Sequence, residues 1–234
     1  MPEMYANENI EWEPFYASYV STYIDRDVRQ LAQIGDTIAF TQFMTALAAR
    51  TGELLNMSSM ARDVGVDDKT IKRWLSVLQA SGVVYLLQPF SINVNKRVVK
   101  APKVYFTDTG LVCYLCRWLT PETLANGAMA GNIFETFIIA EILKSYYNAG
   151  KEPNMYFFRN TDGQEVDLLF YYNGTLYPVE IKKTSSPNTK DIKNFKTLRT
   201  FFPSLKIGEG GIICNHELLL PMESTNRIIP SNMI

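Results

Sequence analysis

Apolar residues in the first third of the chain recur at helical spacing and predict a series of helices. A first helix is predicted over residues 14–34, a second over residues 37–50, and a third, shorter one over about residues 59–64. Asp67 then has the position of an N-cap, because apolar residues follow it at i, i+3, i+4 and i+7 spacing. These apolar residues are Ile71, Trp74, Leu75 and Leu78.

Two strands are predicted after these helices, over residues 83–87 and 103–107. Three helices followed by a two-stranded wing are typical of a winged helix-turn-helix domain. Basic residues on the outer face of the third helix of this motif and in the wing predict contact with DNA phosphates and base edges. They are Lys69, Lys72, Arg73, Lys96 and Arg97. Docking of a protein is the alternative, because winged helices also bind proteins and solvated helix faces are often basic.

The second half of the chain predicts the element order α-β-β-β-α-β after a connecting helix that ends near Thr120 and a loop over residues 122–131. The predicted elements are a helix over 132–147, strands over 155–159, 165–172 and 175–183, a helix over 188–202 and a strand over 207–214. Asn173-Gly174 is the strongest short-range signal for a two-residue hairpin turn. This turn pairs residue 172 with residue 175.

The same register places Asp167 directly opposite Glu180 on one face of the hairpin, with Lys182 beside them. Opposed carboxylates repel each other, so a purely structural sheet would avoid the pair. A divalent cation such as Mg²⁺ removes the repulsion, because hard cations bind carboxylate oxygens. Glu165 faces the same side and is a further candidate ligand. The structural alternative is an exposed strand edge on which Lys182 simply pairs with Asp167.

Charge and cysteine content add less specific information. The 234-residue chain has a net charge of −1, yet the stretches 62–103 and 182–206 are basic, which favours local contact with phosphates. No signal peptide or membrane span is recognisable, so a cytoplasmic location is expected. A zinc site is a minor alternative to a core role for the cysteines, and it would use Cys113, Cys116, Cys214 and His216.

The order of elements, with Glu135, Asp167 and Glu180-x-Lys182 in place, resembles the PD-(D/E)xK nuclease fold of restriction endonucleases over residues 131–215. The resemblance implies that Asp167 and Glu180 bind Mg²⁺ or Mn²⁺, that Lys182 assists the attacking water, and that Glu135 supports the site. Glu135 also lies on an apolar helix face, where an isolated charge is costly. One departure is that Glu165-Val166, rather than an adjacent proline, precedes Asp167.

Residues 15–215 as a whole resemble the C-terminal half of a family of prokaryotic AAA+-type ATPases, in which a P-loop domain precedes a domain of unknown function. The segments that carry this resemblance are 23–27, 106–111, 131–135 and 179–182, together with the winged helix. The resemblance implies an ATPase part that is missing here. No G-x-x-x-x-G-K-[ST] motif occurs in the sequence, so ATP hydrolysis by this chain alone is not expected.

The predicted fold class is therefore α+β or α/β, with a helical winged helix-turn-helix domain followed by a restriction-endonuclease-like domain. The predicted divisions are a linker and helix over 1–35, the winged helix over 36–120 and the nuclease-like domain over 121–234. The predicted function is that of a DNA-binding, Mg²⁺-dependent phosphodiesterase module of an ATPase. The alternative is a non-catalytic module that binds DNA or protein and regulates an ATPase.

Overall fold

The computed structural model describes residues 6, 7, 9–23, 36–91 and 100–234, and its contacts divide the chain into two compact units. The first unit contains Met1–Leu86 and Val104–Thr136, and the second contains Leu87–Lys103 and Phe137–Ile234. Each unit is thus assembled from two separate segments of the chain, whereas the predicted domains are contiguous in sequence.

Among the described residues, four helices come first in the first unit, and local capping sets the start of three of them. They are α1 (Trp12–Tyr23), α2 (Thr37–Ala48), α3 (Met57–Val64) and α4 (Asp68–Ala80). The predicted N-cap at Asp67 is confirmed, because its carboxylate accepts a hydrogen bond of 2.8 Å from the Thr70 amide. Gly65 ends α3 with a positive φ of 77°. Residues 24–34 of the first predicted helix lie outside the described residues.

Helix α4 packs its predicted apolar face inward. Ile71, Trp74, Leu75 and Leu78 are all buried. The Trp74 ring lies 5.4 Å from the Phe40 ring and 5.5 Å from the Phe43 ring, between centroids, which joins α4 to α2. The opposite face of α4 exposes Lys69, Lys72 and Arg73. The predicted wing residues Lys96 and Arg97 lie outside the described part of the chain.

Strands β1 (Val84–Pro89) and β2 (Lys103–Phe106) follow, and then helices α5 (Thr109–Leu115) and α6 (Pro121–Ala125). The prediction of a loop over residues 122–131 was wrong in its first part. Thr120 caps α6, because its hydroxyl accepts from the Thr123 amide at 3.2 Å while the Thr123 hydroxyl accepts from the Thr120 amide. Pro121 stands at the start of the helix, where its missing N–H costs nothing.

The second unit is built on a mixed sheet after the long helix α7 (Ala130–Asn148). Within the second unit the strands follow the order β1-β3-β4-β5-β7-β9-β8, and β6 pairs with β5. Strands β3, β4 and β5 are antiparallel, whereas β5, β7 and β9 are parallel. The strands are β3 (Met155–Arg159), β4 (Glu165–Tyr172), β5 (Thr175–Lys182), β6 (Lys206–Ile207), β7 (Gly210–Cys214), β8 (Leu220–Pro221) and β9 (Asn226–Pro230).

Helix α8 (Phe195–Phe201) packs Phe195 and Leu198 into the core of the second unit. It is shorter than the predicted helix over 188–202. The Asn188 side chain accepts from the Lys190 amide, and the Asp191 carboxylate accepts from the Asn188 amide. These local hydrogen bonds compete with helical ones and hold the segment as turns. A short 3₁₀ helix, Ser231–Met233, closes the chain.

The architecture is therefore mixed α/β, with N-terminal helices followed by a sheet and further helices. The strand predicted over 207–214 is split into β6 and β7, and strands β8 and β9 extend the sheet beyond the predicted order. Among the described helices, none combines the length and the apolar composition that crossing a bilayer requires.

Candidate functional site

The β4–β5 hairpin positions the predicted site residues, and its register confirms the prediction. Asn173 and Gly174 have φ values of 47° and 75°, which is the all-positive geometry of a type I′ turn. Tyr172 pairs with Thr175, and the pairing continues to Leu168 and Val179. The next position along this register sets Asp167 opposite Glu180.

Asp167 is buried, with only 6 % of its surface exposed. Its Oδ2 accepts hydrogen bonds from the Ile181 amide at 2.9 Å and from the Lys182 ammonium at 3.2 Å. Burial alone would raise the pKa of Asp167, but the charges of Lys182 and Lys103, with hydrogen bonds from Glu180 and the Ile181 amide, hold it below its ordinary value. Asp167 is therefore the ionised member of the carboxylate pair.

Glu180 is even less exposed, at 3 %, and its pKa is shifted in the opposite direction. Its Oε2 lies 3.0 Å from the Lys182 ammonium, whereas its Oε1 is buried with no hydrogen-bond partner among the described residues. Burial and the neighbouring Asp167 charge raise the pKa of Glu180 to about 9, against the attraction of Lys182. Glu180 therefore holds a proton at neutral pH in the absence of a cation.

Lys182 joins the two carboxylates, since its ammonium lies within ion-pair distance of both. Its side chain is 41 % exposed, so it also reaches toward solvent. Burial opposes the charged form, but the charges of Asp167 and Glu180 raise the pKa of Lys182 above its ordinary value. The predicted alternative was therefore right about the pairing of Lys182 with Asp167 and wrong about an exposed strand edge.

Glu165 was a further candidate ligand, and the structure gives it other partners. Its carboxylate forms ion pairs with the buried Lys103 and, at 2.8 Å, with Arg159. A carboxylate already neutralised by two cations is a poor additional ligand for a metal ion. Glu165 instead anchors the start of β4, two residues before Asp167.

The face of the hairpin that carries the carboxylates is itself covered by apolar residues. Leu169 and Leu176 are buried in the same cluster as Phe195 and Leu198 of α8. Alternation along the two strands places the apolar residues Val166, Leu168, Val179 and Ile181 on the opposite face, so the sequence predicts an apolar core there and not on the carboxylate face. The cover by α8 gives the carboxylates a less polar environment, which strengthens their interactions with charges.

Glu135 lies in the first unit, where the Tyr105 hydroxyl donates a hydrogen bond to its carboxylate. Its supporting role toward Asp167 and Glu180 stays a prediction. Cys113 and Cys116 are free thiols, and burial raises the pKa of each to about 11, which disfavours the thiolate that zinc needs. Within the described residues, no cluster of three or more His, Cys, Asp or Glu side chains is arranged to hold a metal ion.

The pair of carboxylates, Asp167 and Glu180, nevertheless suits a Mg²⁺ ion. Mg²⁺ keeps several water molecules and is commonly bound through one or two carboxylates plus the phosphates of a substrate. The buried Oε1 of Glu180, which has no described partner, is an oxygen that a cation would satisfy. The donor set of Asp167 and Glu180 therefore fits Mg²⁺ or Mn²⁺.

The pH dependence of stability provides a first test of this arrangement. In the absence of metal, the folded state keeps a proton on Glu180 that the unfolded chain releases, from the ordinary carboxyl pKa up to about 9. The free energy of unfolding should therefore fall as pH rises through this window.

A Glu180→Gln variant should lose this pH dependence, so that its melting temperature exceeds that of the wild type by about 3–6 °C near pH 9. Thermal unfolding in EDTA measures it. The exposed Glu217→Gln control should follow the wild type, and parallel curves for wild type and Glu180→Gln would contradict the protonation of Glu180.

Comparison with known proteins places the chain in a family without an assigned function. The family model of the Domain of unknown function DUF8612 matches residues 1–122, and the chain belongs to this family. The model of a second Domain of unknown function, DUF4143, matches residues 130–234. The two matches together cover nearly the whole chain.

Two uncharacterized mycobacterial proteins, from Mycobacterium tuberculosis and Mycobacterium bovis, are each 27 % identical to the chain over 234 residues. The alignment covers 100 % of this chain and 51 % of each relative, so the chain spans about half their length. The structure also resembles the crystal structure of a protein from Vibrio cholerae, with a TM-score of 0.26 and 11 % identity, over 96 % of this chain and 54 % of that one. A score this low does not establish a shared fold.

Proposed function

We propose that the chain is a DNA-binding, Mg²⁺-dependent phosphodiesterase module of the nuclease type. The observation that carries the proposal is the pair of opposed, buried carboxylates on the β4–β5 hairpin. Asp167 and Glu180 are each less than a tenth exposed and share Lys182, and Oε1 of Glu180 has no hydrogen-bond partner in the described part of the chain. A sheet gains nothing in stability from such a pair, whereas phosphodiester hydrolysis uses it.

In this function Asp167 and Glu180 would hold Mg²⁺ or Mn²⁺, which when bound supplies polarisation of a phosphoryl oxygen and a lower pKa for bound water. Asp167 is already ionised and fixed by the Ile181 amide, so it needs little reorganisation to act as a ligand. Lys182 keeps its ammonium at the edge of the site, where it would orient the attacking water and stabilise negative charge that develops on the phosphate. The resemblance to PD-(D/E)xK nucleases supports the same roles and adds Glu135 as a supporting residue.

The metal site can be tested directly with an Asp167→Asn variant. The substitution keeps the shape of the side chain but removes the charge, so we expect Mn²⁺ binding to weaken by at least about tenfold while the fold is retained. Isothermal titration with Mn²⁺ measures the affinity, and circular dichroism checks the fold. Asp162→Asn, an exposed position in the preceding turn, is the matched control and should bind as the wild type does. Equal Mn²⁺ affinity in all three proteins would show that Asp167 is not a metal ligand.

DNA contact is proposed for the first unit, through a winged helix-turn-helix formed by α2, α3, α4 and the strands that follow. The exposure of Lys69, Lys72 and Arg73 on one face of α4 supports this role. Lys96 and Arg97 stay predicted contacts, because they lie outside the described residues. Phosphate contacts from such residues supply sequence-independent affinity.

A combined Lys72→Ala and Arg73→Ala substitution should weaken DNA binding and reduce the salt slope of log K by about one to two units. Fluorescence anisotropy with a labelled duplex at several salt concentrations measures both quantities. A Lys144→Ala and Lys151→Ala protein removes the same charge elsewhere and should keep the wild-type slope. An unchanged slope in the Lys72 and Arg73 variant would favour a winged helix that docks a protein.

The proposal extends to a partner ATPase part, which would drive or gate the module. The resemblance to the C-terminal half of AAA+-type ATPases supports it, and the curated relatives are about twice as long as this chain. The activity of such a whole protein is part of the proposal.

A non-catalytic module is the second candidate function. In this second candidate, the winged helix binds DNA or protein and the nuclease-like domain has only a structural role. The module as a whole then regulates an ATPase. The observation that favours it is that Lys182 already pairs with the ionised Asp167 and lies 3.0 Å from Glu180, so the two carboxyl groups are accommodated without a cation. The net charge of −1 points the same way, since nonspecific DNA enzymes are usually more basic.

A further inference from the structure

The second unit contains a cavity of about 680 Å³ at the start of β5, away from the carboxylate pair. Strand β5 contributes Tyr177, helix α8 contributes Lys196 and Arg199, and strand β6 contributes Lys206. This volume is in the range that holds a small organic ligand. Three cationic side chains therefore surround one ligand-sized space, which we call the basic cavity.

The cations of the basic cavity have no carboxylate partners in the part of the chain that the structure describes. Lys196, Arg199 and Lys206 are all exposed, and none forms an ion pair there. Two acidic residues also belong to the cavity wall. Glu209 lies 3.7 Å from Arg227, and Glu223 accepts a hydrogen bond of 3.2 Å from the Asn226 amide group. The wall thus carries three cations against two carboxylates, and none of the three cations is paired with a carboxylate within the described residues.

An aromatic ring completes the wall. Tyr177 is 37 % exposed, and a Cβ atom at position 208 would lie 2.6 Å from its ring. Gly208 therefore lets the ring pack directly on the backbone, which is held in place because the Gly208 amide donates to the Leu176 carbonyl at 2.8 Å. A fixed, half-exposed aromatic ring beside cations suits a nucleobase attached to a phosphate.

The basic cavity is separate from the carboxylate pair. Tyr177 and Lys182 both lie on β5, five positions apart, which corresponds to about 17 Å along a strand. A phosphate bound beside Lys206 at the start of the strand would thus lie well away from Asp167 and Glu180.

We propose that the basic cavity binds the phosphate group of a nucleotide, with Arg199 and Lys206 as its principal cations and Tyr177 beside the base. The shared chemistry is a phosphate attached to a nucleoside, and it can come from a free nucleotide or from a nucleic-acid strand. Arg199 offers a planar fork that matches two phosphate oxygens, while Lys206 supplies a point charge. The site does not depend on the proposed hydrolysis, because it uses none of the carboxylates.

The experiment measures binding of two probes to the full chain in EDTA, so that metal at the carboxylates cannot contribute. The probes are ATP and a single-stranded oligodeoxynucleotide of about 12 residues, a length typical of single-strand sites. Binding to the wild type is compared with Arg199→Gln/Lys206→Gln, which removes two charges from the cavity. The matched control is Lys190→Gln/Lys193→Gln, which removes two charges from exposed positions of the same basic segment outside the cavity. Melting temperatures check that both variants are folded.

We expect the cavity variant to lose at least about tenfold in affinity for a probe, and the control to lose less than about twofold. If ATP binding is lost in the cavity variant and kept in the control, a free nucleotide is the source of the phosphate. The same pattern with the oligonucleotide alone would identify a strand. An Arg199→Lys/Lys206→Arg protein keeps both charges and should retain most of the binding. The proposal is overturned if neither probe binds the wild type, or if the cavity variant and the control lose affinity equally.

Discussion

A Lys182→Ala variant is expected to unfold at a melting temperature about 3–10 °C below that of the wild type in the absence of metal. Lys182 lies 3.2 Å from Asp167 and 3.0 Å from Glu180, and both carboxylates are buried. Removing one partner of a fully buried ion pair costs about 3–5 kcal/mol. Because the Lys182 side chain is 41 % exposed, solvent screens part of this interaction, and we expect about 1–3 kcal/mol.

Thermal and urea unfolding in EDTA measure this loss. Lys193→Ala, an exposed lysine without a carboxylate partner in the described structure, is the control and should change stability by less than about 0.5 kcal/mol. Added Mn²⁺ should raise the melting temperature of Lys182→Ala by more degrees than that of the wild type, since a cation can replace the missing ammonium. A Lys182→Ala protein as stable as Lys193→Ala would mean that the lysine does not hold the carboxylates together.

Glu180→Ala is expected to lower metal-dependent cleavage by more than about 100-fold. The estimate follows because changing residues that merely support a metal ligand already costs about 10–100-fold, and Glu180 would be a ligand itself. The substitution also removes a buried carboxyl whose pKa is raised to about 9, so the fold should not suffer from the loss of a charge. Reduced activity would then report on chemistry and not on unfolding.

The rate is measured with a fixed substrate under single-turnover conditions, beside an exposed Glu217→Ala control. The control should cleave at the wild-type rate. If Glu180→Ala and the control cleave alike, the activity belongs to a contaminant or to another site. If both variants are folded and neither they nor the wild type cleave, the non-catalytic function is favoured.

The hairpin could be predicted from sequence because its determinants are local. Asn173-Gly174 supplies two positive φ angles at the turn, and a turn of known length fixes every pair beyond it. Counting back from the turn then places Asp167 opposite Glu180. The N-cap at Asp67 and the buried face of α4 could be predicted for the same reason, since capping and periodicity act within a few residues.

The burial of the carboxylates could not be predicted, because it depends on residues distant in sequence. Leu169 and Leu176 lie on the carboxylate face, yet they are covered by Phe195 and Leu198 of a helix that follows the hairpin. Alternation within a strand cannot reveal a helix packed on its second face. Burial raises the pKa of both carboxyls, and the charges of Lys182 and Lys103 with the hydrogen bonds to Asp167 reverse this for Asp167 alone, although the sequence predicts two equivalent ligands.

The engagement of Glu165 likewise depends on tertiary contacts. Lys103 is some sixty residues earlier in the chain and is itself buried against Glu165, so no local pattern links them. Short elements were missed for a different reason. Strands β6 and β8 contain two residues each, which is too few for any periodicity to appear.

The proposed function requires metal-dependent hydrolysis of nucleic acid at Asp167 and Glu180. The most direct measurement is a cleavage assay on a mixture of duplex, single-stranded and branched DNA with Mg²⁺ or Mn²⁺, with EDTA as the blank, for the wild type beside Glu180→Ala. We expect cutting by the wild type only, and only with metal. Absence of cutting by a folded wild type, or equal cutting by Glu180→Ala, would contradict it.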